Sequence, residues 1–184
     1  MRIVTGLSEK GIADARREIR KYRNSLTRKC AEFVSKLEGK GISVAQQNVG
    51  GEFGSYIIFE KHVDRETYGA SGLLLATQTG LIRREWRTNN TSSGVATADI
   101  SPLLMVEFGA GVKHDKNKHA HRLGMGAGTF PGQTHAFDPD GWWYRDMDWE
   151  WHHVDGIEPG MPMAKAAEEM ERQIFQTAKE VFAT

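Results

Sequence analysis

Histidine is the residue type in this chain best suited to binding a metal, and four of the seven histidines lie close together in sequence. These four are His114, His119, His121 and His135. The spacing of His119 and His121 can place two rings on one side of an extended segment, but a tight zinc site needs a further ligand and hydrogen bonds that hold the rings. We therefore predict no metal and no cofactor. The alternative to a protein without a metal is a metal-dependent hydrolase that would use this histidine-rich stretch and Glu107.

A run of acidic and aromatic residues follows that stretch. Its acidic members are Asp138, Asp140, Asp146, Asp148 and Glu150. An EF-hand calcium loop does not fit, because taking Gly141 as the turn glycine puts Ala136 where the first acidic ligand belongs. Carboxylates beside tryptophans can hydrolyse glycosides, but this alternation is also typical of an amphipathic strand or a protein interface. We assign no catalytic residue here and take Trp142 and Trp143 as interface candidates.

The single cysteine and the basic residues add little further chemistry. Cys30 excludes an internal disulfide framework, and its position on an apolar helical stripe favours a packing role. Arginines near the N-terminus, among them Arg16, Arg20 and Arg23, could meet phosphates, so a DNA-contacting connector is a second alternative. No aromatic stacking platform or reading helix accompanies them in the sequence. We therefore take these arginines first as candidates for protein contacts.

Two helices are predicted from apolar periodicity. The first spans Ser8 to Glu38, where apolar residues recur every three or four positions, with Ser8 as the cap and Gly39 and Gly41 as the stop. At 1.5 Å per residue it would be roughly 45 Å long, which is longer than a compact domain needs. The second spans Met161 to Phe182, with Pro162 in its first turn.

Between the helices, the pattern changes to that of short strands. Alternation at 42–46 and the aromatic and β-branched residues at 56–63 predict a hairpin. Further apolar elements are expected at 72–77, 81–87, 95–98, 102–108 and 142–151, of which 81–87 fits either a strand or a helical turn. The stretch 109–141, rich in glycine and histidine, is predicted to be a long loop. Together these elements predict a single α+β domain over 1–184, with both helices packed on a mostly antiparallel sheet.

Charge is distributed unevenly, although the formal net charge is zero. Residues 1–40 carry eleven basic and five acidic side chains, whereas residues 138–184 carry four basic and eleven acidic ones. Ends of opposite sign can pair between copies of the chain, as a ring or stack requires. No apolar run approaches the roughly 20 residues that a bilayer needs, so we expect no membrane span and synthesis in the cytoplasm.

Three short segments stand out in order along the chain: Thr-Gly-Leu-Ile-Arg-Arg at 79–84, Met-Val-Glu-Phe-Gly-Ala-Gly at 105–111, and Gly-Met-Pro-Met-Ala-Lys-Ala-Ala at 160–167. Together they resemble landmarks of the bacteriophage tail-component, or tail-completion, proteins of lambdoid-type siphoviruses. Ala110 stands where that family usually has threonine. The resemblance implies a noncatalytic virion protein in the tail or neck. It would act in tail completion or head-tail joining, through contacts with its own copies and with other tail proteins.

The landmark residues also have a physical interpretation of their own. Glu107 is expected to accept backbone N–H bonds in the Gly-x-Gly turn that follows it, and Pro162 to fix the direction of the last helix. With Phe108 and Met163, these two residues complete our set of interface candidates.

Overall fold

The computed structural model describes residues 8–88, 94–111, 139–146 and 148–183. Its helices are α1 (Glu9–Gln47), α2 (Pro102–Phe108) and α3 (Pro162–Phe182), with a short 3-10 turn at Gly54–Tyr56. The strands are β1 (Ile57–Glu66), β2 (Gly69–Gln78), β3 (Ile82–Thr88), β4 (Ala96–Ile100), β5 (Trp142–Arg145) and β6 (Trp151–Val154). The α+β class with a long first helix and a closing helix is confirmed. Within the described ranges, no helix is long and apolar enough to cross a membrane.

Helix α1 begins where the sequence predicts, and it ends nine residues beyond the predicted end at Glu38. Ser8 caps its start, its hydroxyl oxygen accepting the backbone N–H of Gly11 at 3.1 Å. The 39 residues make a helix about 58 Å long. The predicted stop at Gly39 and Gly41 is wrong, because Gly41 lies at a close crossing: a Cβ atom there would be 2.9 Å from the sulfur of Met170. The helix ends at Asn48, whose side-chain amide donates to the carbonyl of Val44 at 2.8 Å.

The predicted hairpin has the wrong first strand. Residues 42–46 belong to α1, and β1 instead pairs with β2 in an antiparallel ladder from Ile57 opposite Gln78 to Glu66 opposite Gly69. The ladder joins neighbours in sequence through a tight turn, and it packs along α1. The residues at 42–46, whose alternation suggested a strand, are therefore part of helix α1 and pack against its neighbouring elements.

The remaining strands form a second antiparallel sheet in the order β4-β3-β5-β6. The segment 81–87, open between two interpretations in the sequence, is largely strand β3, and the expected strand at 142–151 is two strands joined by a turn. Phe53, Ile82 and Val106 are the buried centre of a small core between the second sheet, α2 and the end of α1. This core places α2 beside the start of α3.

Helix α3 runs antiparallel to α1 and covers the C-terminal half of one face. The ammonium of Lys165 donates to the side-chain oxygen of Asn48 at 2.7 Å near one end of the pair. The ring centroids of Phe33 and Phe182 lie 6.0 Å apart near the other end. Between them, Lys40 donates to the hydroxyl of the fully buried Thr177 at 2.9 Å. Because α3 ends opposite Phe33, α1 extends beyond it.

Candidate functional site

The most distinctive surface lies on the part of α1 that extends beyond α3. Ile12, Ile19, Tyr22 and Leu26 fall on the helical face that α3 covers further along, and we call these four residues the α1 stripe. The described part of the chain leaves their side chains between 40% and 56% exposed. The same apolar period is therefore largely covered in one half of the helix and open in the other.

The basic interface candidates lie beside this stripe. Residues 9–30 carry eight basic and three acidic side chains, and Arg16, Arg20 and Arg23 are all exposed. Helical spacing places Arg16 and Arg23 along one edge of the α1 stripe, with Arg20 further round the helix. The combination is an apolar strip bordered by positive charge.

A face of α3 has the opposite character. Glu168, Glu171 and Phe175 lie at helical spacing on the outside of α3, and we call them the α3 outer face. Phe175 is 81% exposed, which is unusual for so large an apolar side chain. The neighbouring Arg172 is already paired with Glu169 at 2.7 Å, which also lowers the pKa of that carboxyl. Glu168 and Glu171 are thus exposed negative charges on this face, and Lys179, one turn beyond Phe175, is an exposed positive one.

Two of the landmark segments meet inside the chain. The carboxylate of Glu107 accepts the backbone N–H groups of Met163 at 2.9 Å and Ala164 at 3.1 Å. Met161, the residue before α3, offers no side-chain cap, so Glu107 supplies from α2 the cap that α3 lacks. From the sequence we expected bonds to the turn that follows Glu107; the carboxylate also accepts the N-terminal donors of another helix, which the sequence did not indicate.

The other landmark candidates lie at the same junction. Phe108 and Pro162 are buried and Met163 is half-buried. Gly109 ends α2 with a φ of 67°, and a side chain there would clash with the carbonyl of Ile157. Gly160 donates to the carbonyl of Val106 at 2.8 Å. These residues hold α2 against the entry to α3, and so set the direction of α3 along α1.

Trp142 and Trp143 lie on β5, in the second sheet. The ring of Trp143 packs edge-on against His153, with centroids 5.0 Å apart. The guanidinium of Arg87 lies over both Trp143 and Trp151, at 5.6 Å and 4.5 Å from the ring centroids. Both tryptophans at 142 and 143 are half-buried. Cation-π and aromatic contacts within the chain therefore already use part of this surface.

The turn between β5 and β6 brings together a group that sequence reasoning missed. Asp146, Glu150 and His152 each place one ligand atom within 4.8 Å of the others, a geometry that could hold a metal ion. Asp146 also builds the turn, because one oxygen accepts the backbone N–H groups of Asp148 and Glu150, both at 2.9 Å. Its other oxygen lies 2.5 Å from Nε2 of His152. The bond from the Glu150 backbone is the main cause that lowers the pKa of Asp146.

The four histidines of the predicted loop, His114, His119, His121 and His135, fall within 112–138, outside the described residues. His152 and His153 contact different partners, Asp146 on one side and the carbonyl of Asp140 on the other. Neighbouring positions on a strand thus direct the two rings to different partners.

Comparisons of the chain with protein-family models, with curated proteins and with solved structures gave no match. Function is therefore inferred from the residues and surfaces of the chain itself.

Proposed function

We propose that this chain is a noncatalytic structural protein of a bacteriophage virion that acts in tail completion or head-tail joining. It would be made in the host cytoplasm, assemble with copies of itself and contact other tail or neck proteins. The observation that carries the proposal is the α1 stripe, an apolar helical face that continues past the end of the helix covering it. The resemblance of the three landmark segments supplies the phage context.

The α1 stripe is costly to leave in water. Burying apolar surface contributes roughly 25 cal/mol per Å2, and contiguous apolar surface on a folded chain marks contact sites. Scattered exposed apolar residues are ordinary, but these four lie on one line along about four turns of helix. A second helical surface laid along α1 would cover them as α3 covers the rest of the same face.

We infer that the covering surface is the α3 outer face of a second copy. Its glutamates complement the arginines that border the α1 stripe, and its Phe175 supplies an apolar side chain of the kind that dominates interface energies. Pairing two α1 stripes with each other would instead bring two strongly basic segments together. Charge therefore favours a contact between unlike surfaces.

A contact between unlike surfaces has a consequence for symmetry. Each copy would offer one surface to the copy before it and the other to the copy after it, which generates a ring when the rotation closes. Several copies around an axis is also the arrangement that the family resemblance implies. The direction of α3, set by the Glu107 junction, would fix the angle between neighbours.

Sedimentation velocity on the full chain tests the contact. We expect the wild type to associate, and a rise in salt to weaken the association because the flanking charges are exposed. Tyr22→Asp should shift the chain to monomer. Leu81→Asp is the control, since Leu81 is an exposed apolar residue just before β3, in the second sheet. Equal behaviour of the two variants would contradict the role of the stripe.

The virion role needs a separate test. Mass spectrometry of purified phage particles should find the chain at a stoichiometry of several copies per particle, and negative-stain images of the isolated protein should contain rings. A chain absent from the particles would contradict the proposal. Steep salt-dependent DNA affinity in a monomeric chain would favour the connector alternative instead.

A further inference from the structure

A cavity of about 590 Å3 lies where the end of α1 meets β3, β5, β6 and the segment 157–160. This volume is within the range of small-molecule sites, roughly 300–1,000 Å3. Much of its wall is apolar: Phe53, Ile100, Met105, Trp142, Val154 and Ile157. The lining also contains Glu52 and Arg84 on one side, and Glu158 and Lys165 elsewhere. It is separate from the α1 stripe and the α3 outer face, so its role does not depend on the proposed assembly.

Arg84 is the unusual member of this lining. Successive side chains of β3 point to opposite faces, which exposes Arg83 and turns Arg84 inward until it is 7% exposed. Its Nη2 atom lies 3.4 Å from the carboxylate of Glu52, longer than the 2.7–2.9 Å of a usual charge-assisted bond. Its Nε atom is buried and has no hydrogen-bond partner in the described part of the chain. The guanidinium thus keeps an unused donor and an incompletely compensated charge.

The Arg84 side chain is 7% exposed, so little water reaches it. Tyr144 lines the same cavity, and burial is the main cause that raises the pKa of its hydroxyl; Glu52 and Asp146 add to the rise and Arg84 opposes it. Glu52 is 41% exposed, so water screens much of its charge from Arg84. A carboxylate that entered the cavity would meet the guanidinium where electrostatic attraction is stronger than in bulk water.

We infer that this cavity binds a carboxylate carried on an aromatic or branched apolar body. The planar guanidinium can form two parallel N–H···O bonds with a carboxylate through its two terminal nitrogens, one of which makes only the long bond to Glu52. The apolar wall would cover the rest of the ligand. A bare inorganic anion would leave that wall unfilled, and a cationic ligand would face Arg84.

A matched pair of probes separates the charge from the apolar body. We would titrate the full chain with 3-phenylpropionate and with its uncharged analogue 3-phenylpropanol, following the Nε–H resonance of Arg84 by NMR. The resonance is assigned by its loss in Arg84→Lys. The acid should shift it saturably and bind about tenfold more tightly than the alcohol, since bonds between charged groups contribute that much when buried. Equal affinity for the two probes, or no saturable shift, would overturn the inference.

Two variants test the same site from opposite sides. Arg84→Met should reduce affinity for the acid about tenfold while leaving the alcohol unchanged. Glu52→Gln removes the competing carboxylate and keeps Arg84, so it should strengthen binding of the acid. This second variant changes a half-exposed residue, so it keeps the test valid if Arg84→Met folds poorly. Unchanged affinity for the acid in Glu52→Gln, or wild-type affinity in a folded Arg84→Met, would show that Arg84 does not hold the carboxylate and would overturn the inference.

Discussion

The two halves of α1 have similar apolar periods and different surroundings. In the C-terminal half, Phe33 packs against Phe182 and Gly41 admits Met170, so α3 and the β1-β2 ladder cover the helix. In the N-terminal half, Tyr22 and its neighbours on the α1 stripe remain exposed within the described chain. An amphipathic pattern therefore predicts a partner surface but does not indicate whether that surface belongs to the same copy.

The largest expected difference in stability between the two halves of α1 comes from removing one aromatic ring in each half. Phe33→Ala should lower the free energy of unfolding by about 2 kcal/mol, less than for a fully buried ring because Phe33 is half-buried. Tyr22→Ala should change it by no more than about 0.5 kcal/mol in dilute monomer. Urea unfolding at low protein concentration measures both. Equal losses would mean that the chain itself covers the N-terminal half.

The caps of the two helices offer the next comparison. Glu107→Ala removes the acceptor for two backbone donors of α3, and should cost about 1–2 kcal/mol of global stability because α3 covers the core side of α1. Ser8→Ala removes the α1 cap in the uncovered half. It should leave global unfolding unchanged and speed hydrogen exchange only in the first turn of α1. A loss of global stability in Ser8→Ala would contradict this difference between the two caps.

Two glutamates on α1 provide a smaller, pH-dependent comparison. Burial raises the pKa of Glu38 above its ordinary value near 4.5, with Lys61 and the backbone of Leu73 partly offsetting the rise. Glu38 is 4% exposed, and neither carboxylate oxygen makes a hydrogen bond of normal geometry in the described chain. In the uncovered half, the hydrogen bond from Lys21 is the main cause that lowers the pKa of Glu18. The pKa of the glutamate in the covered half is thus raised, and that of the glutamate in the uncovered half is lowered.

A raised pKa in the folded chain means that ionised Glu38 destabilises the fold. The penalty is absent below the unfolded pKa and complete once the pH exceeds the folded one. Glu38→Gln should therefore add about 1 kcal/mol of stability at neutral pH, and the gain should disappear in acid. For Glu18→Gln the sign is opposite, because the lowered pKa gives stability that is present above the unfolded pKa and lost in acid. Thermal unfolding across pH checks both signs.

Much of the fold could be predicted from local signals, and the errors have identifiable causes. The start of α1, the whole of α3 and the α+β class follow from apolar period and caps. The end of α1 was missed because Gly41 permits close packing, and a sequence cannot distinguish that from a helix stop. The partner of β1 was missed because the short apolar run at 42–46 fits both a helix and a strand.

The sites were harder to predict than the elements. Glu107 was named as an interface candidate, but the backbone donors that it accepts lie 56 and 57 residues away in the same chain, where no local rule reaches. The inward position of Arg84 could have been suspected from strand alternation in β3, once 81–87 was known to be a strand. The turn group of Asp146, Glu150 and His152 depends on the backbone path between two strands that the sequence presented as one.

Charge reversal on both surfaces tests the central claim most directly. One variant carries Arg16→Glu, Arg20→Glu and Arg23→Glu, and the other carries Glu168→Lys and Glu171→Lys; each is studied alone and in an equimolar mixture by sedimentation velocity. We expect each variant alone to be monomeric and the mixture to associate, because every α1 stripe then meets an α3 outer face of opposite charge. A mixture that stays monomeric, or variants that associate alone as the wild type does, would contradict the account.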